Sequence, residues 1–231
     1  MSQVKNRTKL GKRIRTALDR EVDRELISKG KDVVKDFDES QAFHVPGKRR
    51  GKLERAFRFA EAVHRDQKRK GSQIPYITHL MAVSAIVGEN GGDEEQMIAA
   101  LLHDSMEDQG ITRQEIADRF GGRVADIVES CSDCTSKPNP PWRDRKKRYI
   151  AHLREASPEV RLVSVADKLH NARTILSDLR CIGPEIWKRF NAGPDEILWY
   201  YRSVIEALRQ GWSHPLIDEL EGVVREVERL K

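Results

Sequence analysis

Ala99-Ala-Leu-Leu-His-Asp-Ser-Met-Glu-Asp108 (AALLHDSMED) decides how the rest of the chain is read. Four apolar residues lead into His103, Asp104, Glu107 and Asp108. On a helix, residues three and four apart share a face, which places the three carboxylates together with the imidazole beside them. Like charges crowded against the edge of a core are unstable unless a cation or a proton offsets them. A divalent metal is the simplest resolution.

Working outward, Gly88 and Gly91-Gly92 precede the stretch, Asp93 is placed to cap it, and Gln109-Gly110 ends it, so one helix is expected from Asp93 through Asp108. Downstream, Thr112-Arg113-Gln114-Glu115 reads as a capping box opening a short helix that stops at Gly121-Gly122, and another helix follows to about Cys134. Ser136 to Pro141 reads as a loop, Trp142 to Glu155 as a basic helix, and Ser157-Pro158 as the start of a long helix through Leu176. Gly183-Pro184 and Gly193-Pro194 divide the remainder, whose last helix starts near Pro215. Upstream, helices are expected from Leu53 to about Arg65 and from His79 to about Val87, separated by a loop carrying Arg69 and Lys70. No period-two strand and no internal repeat is visible, so the expected fold is all-α.

The first fifty residues differ in character. They hold 14 Lys/Arg against 8 Asp/Glu, leaving 28 against 29 for the other 181 residues, so the net +5 belongs to this segment. Between Thr8 and Lys29, apolar residues from Leu10 to Ile27 recur at helical spacing, and residues 31–50 fade into a basic linker. Two regions are therefore expected: residues 1–50 as an amphipathic helix with its linker, and residues 51–231 as the functional domain with its C-terminal helices. The apolar stripe of the first helix must pack on something, either that domain or a second copy of the chain. Its mixed charges and the lack of interleaved aromatic residues argue against nucleic-acid binding.

No apolar run approaches the ~20 residues that span a bilayer, and no signal-peptide core is visible, so a cytoplasmic setting without membrane contact is expected. Cys131, Cys134 and Cys181 are an odd count with no second Cys/His pair at zinc spacing, and they read as packing residues.

Four residues suit one divalent ion: His79, the adjacent His103 and Asp104, and Asp167, which sits among the core residues Val163, Val165, Ala166 and Leu169. Imidazole with carboxylate is a ligand set for manganese, iron or zinc rather than for a thiolate-seeking metal. Glu107 and Asp108, one turn beyond, are then placed to orient or deprotonate water, which points to hydrolysis of a phosphoester or phosphoanhydride. Cations for such a substrate are available as Arg69 and Lys70, and as the run Arg143, Arg145, Lys146, Lys147 and Arg148, of which at least half is expected to be solvated helix surface.

These residues carry a resemblance. His79, His103-Asp104 and Asp167 follow the H…HD…D pattern of the HD phosphohydrolase superfamily. More narrowly, His64-x-x-Gln67-x-Arg69-Lys70, Pro75-Tyr76-Ile77-x-His79, Leu101-Leu102-His103-Asp104-x-x-Glu107-Asp108 and Ala166-Asp167-Lys168-Leu169-x-Asn171-x-Arg173 are similar to the hydrolase domain of RelA/SpoT homologues over roughly residues 53–210. The resemblance implies an HD-domain helical bundle that removes the 3′-pyrophosphate of guanosine tetra- or pentaphosphate, giving GDP or GTP. It implies manganese on His79, His103, Asp104 and Asp167, and water positioned by Glu107 and Asp108. Nucleotide contacts are implied for Arg69, Lys70 and Asn171, with Arg173 a weaker member of the same wall and Lys147 a further cation.

With no synthetase domain expected, the chain resembles the stand-alone small alarmone hydrolases. It departs from the family at Leu80, where Pro is usual, and at Gln73-Ile74, where Gly-Glu is usual; the second change bears on base preference. Competing readings are an HD phosphohydrolase for an adenosine alarmone, a deoxynucleoside monophosphate or NADPH, and an alarmone-binding module without turnover.

Overall fold

The computed structural model describes residues 51–132 and 140–231. The expected helix of residues 8–29, the linker to residue 50, Cys134 and most of the Ser136–Pro141 loop lie outside the described residues. Helices follow one another as α1 (Lys52–Val63), α2 (Ile77–Glu89), α3 (Glu94–Leu102), α4 (Ser105–Gln109), α5 (Arg113–Phe120), α6 (Gly122–Cys131), α7 (Trp142–Glu155) and α8 (Pro158–Ile182). A 3-10 turn over Gly183–Arg189 leads to α9 (Pro194–Arg209) and α10 (Pro215–Leu230). The only β pairing among the described residues is an isolated bridge between Lys68 and Pro75, so the fold is all-α as expected. No described helix is long and apolar enough to cross a membrane.

The start signals act as read. Asp93 and Thr112 close capping boxes with Gln96 and Glu115, and the Ser157 hydroxyl accepts from Val160 N–H ahead of Pro158. Gly110 ends α4 in the left-handed conformation, φ 67°.

The single helix expected across AALLHDSMED is instead two, broken at His103–Asp104. Two side chains account for the break. His103 Nδ1 lies 2.8 Å from Ala100 O, and the Ser105 hydroxyl donates to Leu102 O at 2.6 Å. Both carbonyls would take backbone N–H groups in a continuous helix, so local side-chain bonds replace the ladder there. The turn swings His103 and Asp104 inward, while Leu101 and Leu102 stay buried.

Helix α8 is the axis of the domain. It packs against α10, α2, α6 and α3, and its Val163, Val165, Ala166 and Leu169 are fully buried. Arg161 in its first turn is buried as well, and its guanidinium donates to Arg154 O (2.5 Å), Leu208 O (3.5 Å) and Gln210 O (2.6 Å). One cation thus serves carbonyls at the C-terminal ends of both α7 and α9, where backbone acceptors and the helix dipole favour positive charge. Arg161→Leu should lower the unfolding free energy by about 3 kcal/mol in urea titration, because buried carbonyls lose their donors. Arg161→Lys should restore only part of it, since an ammonium cannot fork to both helix ends.

Candidate metal centre

His79 stands in the first turns of α2, His103 and Asp104 at the α3–α4 break, and Asp167 midway along α8. His79, His103 and Asp167 are buried, while the Asp104 side chain is 23 % exposed. One ligand atom each from His79, His103 and Asp104 falls within 4.8 Å of the others. Asp167 Oδ1 joins them, 3.2 Å from His79 Nε2 and 3.6 Å from His103 Nε2. Asp104 Oδ2 lies 3.0 Å from His103 Nε2 and 3.8 Å from His79 Nε2. Neither Nε2 makes a hydrogen bond although both are buried. Two buried imidazole nitrogens without hydrogen bonds, converging with two carboxylates, are a donor set that fits a divalent ion with nitrogen and oxygen preference.

The supports around the cradle are equally specific. Asp167 Oδ2 accepts from Lys168 Nζ (2.5 Å) and Oδ1 from Asn171 Nδ2 (2.6 Å). Asn171 Oδ1 in turn accepts from Arg69 Nη2 at 2.9 Å. The Tyr76 hydroxyl donates to Asp104 Oδ2 at 2.5 Å. Burial alone would raise both carboxyl pKa values. The Lys168 ammonium and the two imidazoles outweigh it for Asp167, and His103 outweighs it for Asp104, so both are held below the usual carboxylate range. On His103, burial disfavours a proton but Asp104 and Asp167 outweigh it and raise the pKa. Both carboxylates thus stay ionised, offset by Lys168 and the imidazoles, a balance in which a divalent ion can replace the imidazole protons.

Glu107 and Asp108 line a cavity of about 220 Å³ together with Asp104, Asp167 and Lys168. Arg145 Nη1 comes within 3.5 Å of Glu107 Oε1. Asp108 Oδ2 accepts from Gln67 Nε2 at 2.7 Å, and Gln67 Oε1 accepts from Gln109 Nε2 at 2.6 Å and lies 2.6 Å from His64 Nδ1. The surrounding protein and the charge of Asp104 push the Asp108 pKa upward, which suits a group that exchanges a proton near neutrality. The small cavity opens into one of about 580 Å³, with Tyr76, Lys146, Lys168, Asn171 and Tyr200 lining both.

Arg69 and Lys70 line the larger cavity from the hairpin-like loop before α2, which is closed by Arg69 N–H to Ile74 O (2.8 Å) and Tyr76 N–H to Gln67 O (3.0 Å). Arg69 lies 5.9 Å from the Tyr76 ring centre and Lys70 Nζ 5.8 Å from that of Phe190. Gly71 turns the loop at φ 72°, and a Cβ there would lie 2.3 Å from Arg189 Cδ. Arg189 cannot easily yield, because its Nη1 pairs with Asp178 at 2.7 Å. Gly71→Ala should therefore displace the loop, raising KM roughly five- to tenfold, the equivalent of about 1–1.4 kcal/mol, with kcat within twofold in steady-state assays.

Of the residues read from sequence, His79, His103, Asp104, Asp167, Glu107, Asp108, Arg69, Lys70 and Asn171 come together. Two do not. Arg173 is exposed and pairs with Glu219 of α10, because it is six positions beyond Asp167 on a helix and turns away from the face that Asn171 shares. Lys147 is exposed too; on α7 it is Arg145 and Lys146 that reach the cavities. Tyr76, Gln67 and His170 were assigned no role from sequence, although the first two fall within the quoted motifs. Cys131 lies on the small cavity with its thiol 3.9 Å from Ser164 Oγ, and burial pushes the thiol up to about 11, as a packing residue rather than a nucleophile.

Residues 56–195 match the HD domain family. A Xenopus tropicalis guanosine-3′,5′-bis(diphosphate) 3′-pyrophosphohydrolase, MESH1, is 36 % identical over 157 residues, which is 67 % of this chain and 83 % of that protein. The human MESH1 of the same name is 32 % identical over 183 residues, 78 % of this chain and 97 % of that one. Among solved structures, a metazoan ortholog of SpoT described as hydrolysing ppGpp superposes with a TM-score of 0.65 at 25 % identity, covering 78 % of this chain and 97 % of that one. A Listeria monocytogenes structure gives a TM-score of 0.60 at 31 % identity, with 65 % and 99 % covered.

Proposed function

The chain belongs to the HD domain family, and from that premise we propose that it is a metal-dependent 3′-pyrophosphohydrolase of guanosine tetra- and pentaphosphate, yielding GDP or GTP and pyrophosphate. The observation that carries the reading is the convergence of two buried imidazole nitrogens, neither making a hydrogen bond, with the Asp104 and Asp167 carboxylates beside a cation-lined cavity.

His79, His103, Asp104 and Asp167 would hold the ion; their mixed nitrogen and oxygen donors suit manganese, iron or zinc, and the resemblance to the RelA/SpoT hydrolases favours manganese among them. When bound, the ion supplies Lewis acidity, lowering the pKa of water within its reach from near 16 towards about 7. Glu107 and Asp108 face the same small cavity and orient the attacking water and take its proton. Arg145 and Gln67 fix the directions of those two carboxylates. The new bond joins the water oxygen to the phosphorus attached to ribose O3′; the bond from that phosphorus to O3′ breaks, and O3′ leaves with a proton. Lys146 and Lys168, on the wall shared by both cavities, offset the charge of the pyrophosphoryl group as it passes from O3′ to the water oxygen. Arg69, Lys70 and Asn171 hold the nucleotide in the larger space.

Product analysis tests this directly. Guanosine 3′,5′-bis(diphosphate) incubated with the manganese-loaded protein should give GDP and pyrophosphate in equal amounts, ahead of the adenosine counterpart and of NADPH. Release of orthophosphate instead, or preference for another member of the set, would reject the assignment. The apolar stripe of residues 8–29 supports pairing with a second copy of the chain. Deleting residues 1–44 should then reduce the sedimenting species from two chains to one, and an unchanged number of chains per particle would remove that role.

A further inference from the structure

The two imidazoles of the cradle are oriented differently. His103 Nδ1 faces the Ala100 carbonyl at 2.8 Å, an oxygen that can only accept, so Nδ1 carries a proton and Nε2 is the nitrogen left to face an ion. His79 Nδ1 has no such carbonyl. It faces His170 Nδ1 at 2.7 Å, with the ring centres 4.8 Å apart. Two nitrogens at that distance need a single proton between them, carried by one and accepted by the other. If His170 donated, His79 would carry its own proton on Nε2, aimed at Asp167 Oδ1 3.2 Å away, and could not serve as a ligand. If His170 accepts, Nε2 of His79 is bare, as a metal ligand requires.

His170 is delivered by the same helix face as two cradle residues. It lies three positions after Asp167 and one before Asn171 on α8, and the Thr174 hydroxyl bonds to its carbonyl at 3.0 Å. The ring also lines the larger cavity. It is therefore held between the metal-ligating half of the site and the nucleotide half without belonging to either ligand set.

We propose that His170 is a positioning residue that accepts the Nδ1 proton of His79 and so fixes that ligand in its metal-binding tautomer. The inference rests on reading the cradle as a metal site. It assigns to a side chain the task that a backbone carbonyl performs for His103, so it is open to substitution.

The test uses the full chain stripped with chelator and titrated calorimetrically with manganese chloride, alongside two variants. In His170→Phe, which removes the acceptor, the manganese Kd should rise roughly 10- to 100-fold, the usual cost of losing the hydrogen-bond partner of a metal-bound imidazole. In His170→Asn, whose side-chain oxygen can stand near the place of Nδ1, the Kd should return to within about fivefold of the parent. Equal weakening in both variants, or no weakening in His170→Phe, would overturn the proposal. Should His170→Phe fail to fold, imidazole nitrogen NMR of the zinc-loaded parent decides: the proposal requires the proton of His79 on Nδ1, and a proton on Nε2 contradicts it. A parent that binds no metal at all would instead defeat the reading of the cradle, which separates the two failures.

Discussion

Asp104→Ala is expected to leave a folded protein that has lost its metal. The carboxylate approaches both ligand imidazoles, at 3.0 Å from His103 Nε2 and 3.8 Å from His79 Nε2, so its loss removes one of the two carboxylates that converge on them. It is also the cradle residue whose removal harms the fold least. Asp167 pairs with the largely enclosed Lys168 ammonium at 2.5 Å, and removing it leaves that cation without its carboxylate. Asp104 is partly exposed, and its loss leaves the Tyr76 hydroxyl without its acceptor, which costs about 1–3 kcal/mol. Manganese affinity should fall more than about a hundredfold, beyond the usual effect of an outer partner. Pyrophosphate release should drop by roughly 10³ or more, equivalent to about 4 kcal/mol of barrier. Calorimetry and circular dichroism on the same sample read the two parts, and tight metal binding by the variant would contradict the assignment.

Glu107→Gln should separate binding from turnover. Glu107 lies on the small cavity but outside the group of ligand atoms, and its carboxylate is approached by Arg145 at 3.5 Å. Gln keeps the size and loses the charge and basicity. Manganese Kd should stay within about threefold of the parent while kcat falls roughly 10²- to 10⁴-fold, the range for losing a positioned acid–base group. Equal loss of metal in Glu107→Gln and Asp104→Ala would contradict the division of AALLHDSMED into a ligand half and a water-handling half.

That division was only partly legible in the sequence. Caps, prolines and glycines gave most element boundaries, because Asp93, Thr112, Ser157 and Gly110 act through local hydrogen bonds and backbone preferences that belong to the sequence itself. The clustering of the candidate ligands was legible because a histidine and acids in otherwise apolar helical runs need a partner when buried. The break at His103–Asp104 was not visible, since every residue from Glu94 to Gln109 suits a helix and the interruption depends on two side chains choosing backbone carbonyls.

Helical phase decided the remaining differences. Asp167, His170 and Asn171 share one face of α8, while Arg173 turns outward to Glu219. Along α7, a run of five cations gives little sign of its phase until Tyr149 and Leu153 are known to be buried, and this is why Lys147 was favoured over Arg145 and Lys146. The Gln67 network on Asp108 joins positions 41 residues apart, a separation that one sequence cannot reveal. Leu80, in the place where the family usually has proline, is fully buried in α2, which starts at Ile77 regardless.

The central claim is that one divalent ion on His79, His103, Asp104 and Asp167 is required for hydrolysis at the 3′ end of the nucleotide. Its most direct test is a titration of metal-stripped protein with manganese, following pyrophosphate release from guanosine 3′,5′-bis(diphosphate). No release is expected before addition, a linear rise to a plateau at one ion per chain, and full reversal by chelator. Release that persists in the stripped protein, or none from a protein shown to carry one ion, would contradict it.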